Sequence, residues 1–174
     1  TNQLDSFICC IVKKHTISLY VSNKPGVLIR IALVFARRAY NIDSLVVSES
    51  NDPAFSYMNI VATGDERTLE QILKQLNKLV DVVHATDRTG EDIIHRELAL
   101  MKVYCKPEDR TEILQLANAF QTETVDLTEE TLTVEVAGKS EKIDALGKIL
   151  DKYGILETIR TGKILMTRGG ETTA

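Results

Sequence analysis

Apolar residues recur along this chain with two periods, and the switches between them mark out the elements. From His15 to Val21 they alternate, with Ile17, Leu19 and Val21 on one side, which predicts a strand. Asn23-Lys24-Pro25-Gly26 breaks the run. Pro25 suits the first position of a helix, and Gly26 keeps side chains out of the mouth of the turn. Val27, Ile31, Val34 and Phe35 then make one helical face, with Arg30, Arg37 and Arg38 directed elsewhere. Tyr40-Asn41 ends this helix, and Ile42 to Ser50 is a β-branched second strand. Asn51-Asp52-Pro53 signals a turn, and Phe55 to Ala62 alternates with Met58, Ile60 and Ala62 on one face. After Gly64-Asp65-Glu66, Leu69, Ile72, Leu73, Leu76 and Leu79 or Val80 recur at helical spacing, and Val82 to Asp87 closes the unit as a strand.

Arg88 to Asp92 is polar and reads as a linker, after which the pattern starts again. Glu97 to Lys106 predicts a strand carrying Leu98, Leu100 and Val103. Pro107-Glu108-Asp109 opens a helix carrying Ile113, Leu116, Ala117 and Phe120, its acidic first turn matching the helix dipole. Glu123 to Asp126 and Thr131 to Ala137 predict paired strands, and Lys139 to Tyr153 a helix stopped by Gly154. Ile155 to Ile159 and Ile164 to Met166 supply the last strands. The fold expected is α+β, two ferredoxin-like βαββαβ units, each an antiparallel sheet with two helices on one face. The expected domains are an N-terminal extension over 1–14, units over 15–90 and 91–168, and a flexible tail over 169–174.

Composition narrows the partners. Of 174 residues, 44% are hydrophobic and 26% charged, a balance that supports a packed core. The net charge of −4 argues against a nucleic-acid backbone as ligand. No apolar run reaches membrane-spanning length, and Phe7 to Val12 lacks the flanks of a signal peptide. Adjacent Cys9-Cys10 and the distant Cys105 suggest reduced thiols. The expected compartment is the cytoplasm, or a plastid or mitochondrion in a eukaryote.

Candidate chemistry is sparse. Ala137-Gly138-Lys139-Ser140 looks like the end of a phosphate-binding loop, but that motif needs glycine where Thr133 stands, so a helix start is the better reading. His15, His84 and His95 fall in no metal-ligand spacing, and no Ser, Cys or Asp has a nucleophile's local context. An RNA-recognition module shares the element order, but Phe55 and Tyr57 lack its basic, glycine-flanked core. The Asn23 to Leu28 turn is different. An ordinary cap is its plain reading, yet a helix start offers free N–H groups to a carboxylate, and an Asn amide can accept from an ammonium or donate to a carboxylate. A zwitterionic amino acid matches both, and Val27, Leu28 and Ile42 favour an aliphatic one.

Asn23-x-Pro25-Gly26-Val27-Leu28, followed by Arg37-Arg38-Ala39-Tyr40-Asn41-Ile42-Asp43-Ser44-Leu45, resembles the ACT domain of the small, regulatory subunits of acetolactate (acetohydroxyacid) synthase. The likeness continues through Gly64-Asp65-Glu66 and the stretch Leu69 to Val82. In the second half, Arg96 to Val103 and Ala137 to Ala145 also look familial, so it covers roughly residues 15 to 168. The resemblance implies a non-catalytic chain that activates a large subunit holding thiamine diphosphate, Mg and FAD, which joins two pyruvates into 2-acetolactate. It also implies feedback inhibition by valine, leucine or isoleucine. ACT domains of that family pair side by side as homodimers and bind effector at the seam. Carried over by motif, Asn23, Gly26, Val27 and Leu28 would hold it from one chain, and Asn41 and Ile42 from the other. No cofactor or metal is implied for this chain itself. One departure is Ala39, where the family commonly has glycine. The alternative is a free-standing ACT-type amino-acid sensor acting on another enzyme.

Overall fold

A computed structural model describes residues 13–173; the run Phe7 to Val12, with Cys9 and Cys10, lies outside the described residues. The first strand, β1 (Lys13–Ser22), takes in two lysines that sequence assigns to the extension. It is followed by α1 (Val27–Ala36), β2 (Asn41–Glu49), β3 (Phe55–Gly64), α2 (Glu66–Leu76) and β4 (Val82–Asp87). The strands form one antiparallel sheet in the order β2-β3-β1-β4. Ile17, Leu19 and Val21 share a buried face with Met58, Ile60 and Ala62. The helices close it with Val27, Ile31, Val34 and Phe35 from α1 and Leu69, Ile72 and Leu76 from α2. Leu79 packs against this core while Val80 is almost fully exposed, which decides between the two.

Pro25 is not the first helical residue. Gly26 sits at φ +86, a left-handed conformation that cannot continue into an α-helix, so α1 begins one residue later and Pro25 belongs to the turn.

The second unit comprises β5 (Ile94–Tyr104), α3 (Arg110–Ala119), β6 (Glu123–Leu127), β7 (Thr131–Gly138), α4 (Ser140–Leu150), β8 (Ile155–Arg160) and β9 (Ile164–Met166). Its sheet runs β6-β7-β5-β8, with β9 paired to the start of β5. Leu132, Val134 and Val136 of β7 are buried under α3 and α4. The apolar residues named from the sequence for β5 divide between its two faces. Ala99, Met101, Val103 and Cys105 point to the core, while Leu98 and Leu100 lie half-buried on the other face. Side chains alternate strictly along a strand, so Leu98 and Leu100 cannot share a face with Val103.

The sequence boundaries shift by a few residues: the units divide between Ile93 and Ile94, and residues 167–173 return to the first unit. There the Arg88 guanidinium donates to the Thr173 carbonyl at 2.7 Å and the Thr167 amide to Thr173 Oγ1 at 3.1 Å, tying a segment expected to be flexible.

The two units repeat one another in hydrogen bonding as well as topology. Each first helix ends in a left-handed non-glycine residue, Ala39 at φ +51 and Gln121 at φ +53. In each, the next amide reaches back five residues, Tyr40 to Phe35 and Thr122 to Ala117, closing a Schellman turn. The turn before each first helix is held alike: Asn23 N donates to Ala54 O and Ser22 N to Asp81 O, as Cys105 N donates to Glu130 O and Tyr104 N to Gly154 O.

Candidate effector site

The β1–α1 turn is clamped between two loops. On one side the β2–β3 hairpin receives the Asn23 amide at Ala54 O, 2.8 Å away, and the Asn23 side-chain Nδ2 at Pro53 O, 3.0 Å away. On the other, Ser22 N donates to Asp81 O at 2.8 Å, and the Asp81 carboxylate pairs with Arg30 at 2.6 Å. Arg30, which the sequence places off the apolar face of α1, faces this turn. Lying one helical turn beyond Gly26, its guanidinium comes to 3.8 Å from where a Gly26 Cβ would stand.

The amides of the turn are unequally available. Val27 N makes a long bond of 3.4 Å to Lys24 O, whereas those of Gly26, Leu28 and Ile29 meet no backbone acceptor among the described residues. Asn23, Lys24, Pro25, Gly26 and Leu28 are all exposed. The turn is thus an exposed helix start with open N–H groups, and the nearby Arg30 guanidinium is already paired with Asp81.

Asn41 and Ile42 are not beside it. Asn41 pairs across the sheet with Thr63, while the turn follows Ser22, which pairs with Phe55; the two ends of β3 separate them. Eight residues of strand span roughly 26 Å at about 3.3 Å each. Asn41 is exposed, with Nδ2 donating to Asp43 Oδ1 at 2.9 Å. Ile42 packs partly against the first core, and a bulge follows it before Ser44. The two groups of residues singled out from the sequence therefore lie at opposite ends of one sheet.

Between those ends, β2 is an edge strand with Leu45 and Val47 exposed, and α1 exposes Leu28, Ile29 and Leu33 beside it, Ile29 at 66%. An unpaired edge next to an apolar helix face is the kind of surface that another chain covers.

The second unit lacks the same chemistry at its equivalent turn. Buried Cys105 stands in Asn23's frame, Glu108 in Gly26's, and Glu112 adds a further carboxylate to the first turn of α3. A carboxylate ligand would meet like charge there. At the start of α4, Arg96, Gly138, Lys139, Glu141 and Lys142 line a shallow hollow of about 360 Å³. Only Lys139 separates β7 from α4, leaving no loop to wrap a phosphate. The helix start is already met by Glu141, whose carboxyl is held below its usual range by its own amide and by His95, Lys163 and Lys139 nearby.

The sequence alternative of an RNA module also gains nothing. Phe55 and Tyr57 pack on Tyr20, with ring centroids 5.0 and 5.1 Å apart, so the aromatics satisfy one another. Among the described residues no cluster of His, Cys, Asp and Glu could hold a metal ion, and no helix is long and apolar enough to cross a membrane.

Comparison with known proteins decides what this scaffold is. The profile of an "AHAS small subunit-like ACT domain" matches residues 17–84, and that of the "Small subunit of acetolactate synthase" matches 96–169. A protein of Methanothermobacter thermautotrophicus named a probable acetolactate synthase small subunit is 48% identical over 159 residues, 91% of this chain and 95% of that protein. This chain belongs to the acetolactate synthase small-subunit family. The small subunit of Mycobacterium bovis is 40% identical over 157 residues, covering 90% of this chain and 94% of its own. The crystal structure of the Thermotoga maritima small subunit superposes with a TM-score of 0.80 at 39% identity, over 91% of this chain and 99% of that one. Membership makes the chain a regulatory rather than catalytic subunit, with a catalytic subunit as its partner, and makes its first unit an ACT domain.

Proposed function

We propose that this small subunit activates a thiamine-diphosphate-dependent catalytic subunit, which condenses two pyruvates to 2-acetolactate and CO2, and makes that activity responsive to valine, leucine or isoleucine. Cofactors, including Mg and FAD, belong to the catalytic subunit. The observation that carries the effector reading is the separation of the half-sites. Open helix-start amides follow Asn23 at one end of the β2 edge, Asn41 lies at the other, and an apolar strip joins them.

Two copies meeting edge to edge across a two-fold axis would run their β2 strands antiparallel, bringing the Asn23 end of each to the Asn41 end of its partner. An amino acid at that seam is held by its carboxylate on the amides of Gly26, Val27 and Leu28 and by polar contacts from Asn23 and Asn41. Ile42 belongs to the second half-site, where it backs Asn41. Effector binding favours one arrangement of the paired ACT domains, and the attached catalytic subunit responds to the shift in population.

Reconstitution with the catalytic subunit tests this. Acetolactate formation should rise on adding the small subunit, fall on titration with one of the three amino acids, and lose that sensitivity in Asn23→Ala. The small subunit alone should make no acetolactate with all cofactors supplied. Equal heats of valine binding by wild type and Asn23→Ala would sink the site assignment. Failure to co-purify with any thiamine-dependent partner would favour a free-standing sensor.

A further inference from the structure

We infer that the tip of the β2–β3 hairpin is a positioning element that turns Asn23 into a reader of the effector's ammonium group. This rests on the effector reading of the turn. The carbonyl of Pro53 can only accept a hydrogen bond, so the Asn23 side-chain atom 3.0 Å from it must be the Nδ2 donor. The opposite flip would set Oδ1 against a second carbonyl, two acceptors facing each other. With Nδ2 engaged on the hairpin, Oδ1 is the outward group of the amide.

The site then divides by chemistry. The helix-start amides supply donors and the positive end of the α1 dipole, which suit a carboxylate. Asn23 Oδ1 supplies an acceptor, which suits an ammonium. A free α-amino acid matches this polarity, and the corresponding acid without its amino group does not.

The hairpin is rigid enough to hold that orientation. Asp52 Oδ1 accepts from Ala54 N at 3.0 Å, and Ser50 Oγ donates to Asp52 O at 2.8 Å. Ser50 N donates to Phe55 O and Phe55 N to Asp52 O, both at 3.0 Å, while Ala54 O fixes the Asn23 backbone. Asp52 therefore acts on the effector through Asn23. The same hairpin ends β2, so whatever moves the edge strand at the seam also moves the carbonyl that aims Asn23.

The test measures ratios of affinity on the assembled catalytic–regulatory complex. L-valine, L-leucine and L-isoleucine are each titrated against 3-methylbutanoate, 4-methylpentanoate and 3-methylpentanoate, the same skeletons without the amino group. Wild type should prefer the preferred amino acid over its des-amino acid by on the order of 100-fold, because the acid leaves Asn23 Oδ1 unpaired. Asn23→Ala and Asp52→Ala should each shrink that ratio at least tenfold. Asp52→Asn keeps an oxygen for Ala54 N and should restore it, which a merely structural hairpin would not require.

If Asn23 instead donates to the carboxylate, Asn23→Ala weakens both members of a pair equally. The unchanged ratio would overturn the inference and leave the effector site standing. A ratio lost in Asn23→Ala but kept in Asp52→Ala would remove the hairpin's part. No binding of any of the three amino acids by wild type would overturn the effector reading, and this inference with it.

Discussion

Two single residues bear strain that can be measured directly. Ala39 holds φ +51 so that Tyr40 N can reach Phe35 O, and an L side chain in that region is disfavoured. Ala39→Gly should stabilise the protein by about 1 kcal/mol, the relief of strain exceeding the added freedom of the unfolded chain. Gly64 is the reverse case. A Cβ there would lie 2.2 to 2.8 Å from ring atoms of Tyr40, a buried side chain with little room to retreat. Gly64→Ala should cost about 2 kcal/mol through overpacking. Urea unfolding midpoints at constant slope read both. The left-handed turn at Ala39 has a cue in the sequence only through the resemblance, which leads one to expect glycine there. The contact between Gly64 and Tyr40 is invisible locally, because it joins residues 24 positions apart.

The capping of α2 is an element-scale property with a pH signature. Asp65 is its N-cap, accepting from Thr68 N at 2.8 Å. The Thr68 hydroxyl first, and its amide second, hold the Asp65 carboxyl below its ordinary value of 3.8. A carboxyl depressed on folding stabilises the native state above its unfolded value and loses that contribution as pH falls through the folded value. Asp65→Ala should therefore be less stable than wild type at pH 7. The difference should fade as pH falls below about 4, read from thermal unfolding across that range. Strands and helices were legible where one residue class repeated at one period, as in Ile17-x-Leu19-x-Val21 and Leu132-x-Val134-x-Val136. The strand β5 was legible but its inward face was not, because Leu98 and Leu100 lie opposite the smaller Ala99 and Cys105 and hydrophobicity is high on both faces. The hairpin's hold on Asn23 was not legible either, since Pro53 lies 30 residues on and contributes only its backbone oxygen.

At the scale of the whole molecule, the described residues of one chain hold one such open turn. The second unit repeats the frame but sets Cys105 and Glu108 where Asn23 and Gly26 stand in the first. The proposed half-sites lie at opposite ends of a sheet, so in the proposed pairing neither chain owns a complete site and each contributes to both. This arrangement permits complementation between defective copies. A chain with Asn23→Ala and a chain with Asn41→Ala should each fail to bind effector as pure homodimers. Mixed pairs, however, gather both lesions into one seam position and leave the other with two intact halves. Unfolding and refolding the two variants together in equal amounts should return binding to about a quarter of the wild-type capacity, from one good site in the half of the pairs that are mixed. Calorimetric stoichiometry would read it, and a mixture as silent as its parents would mean that both half-sites serve the same chain.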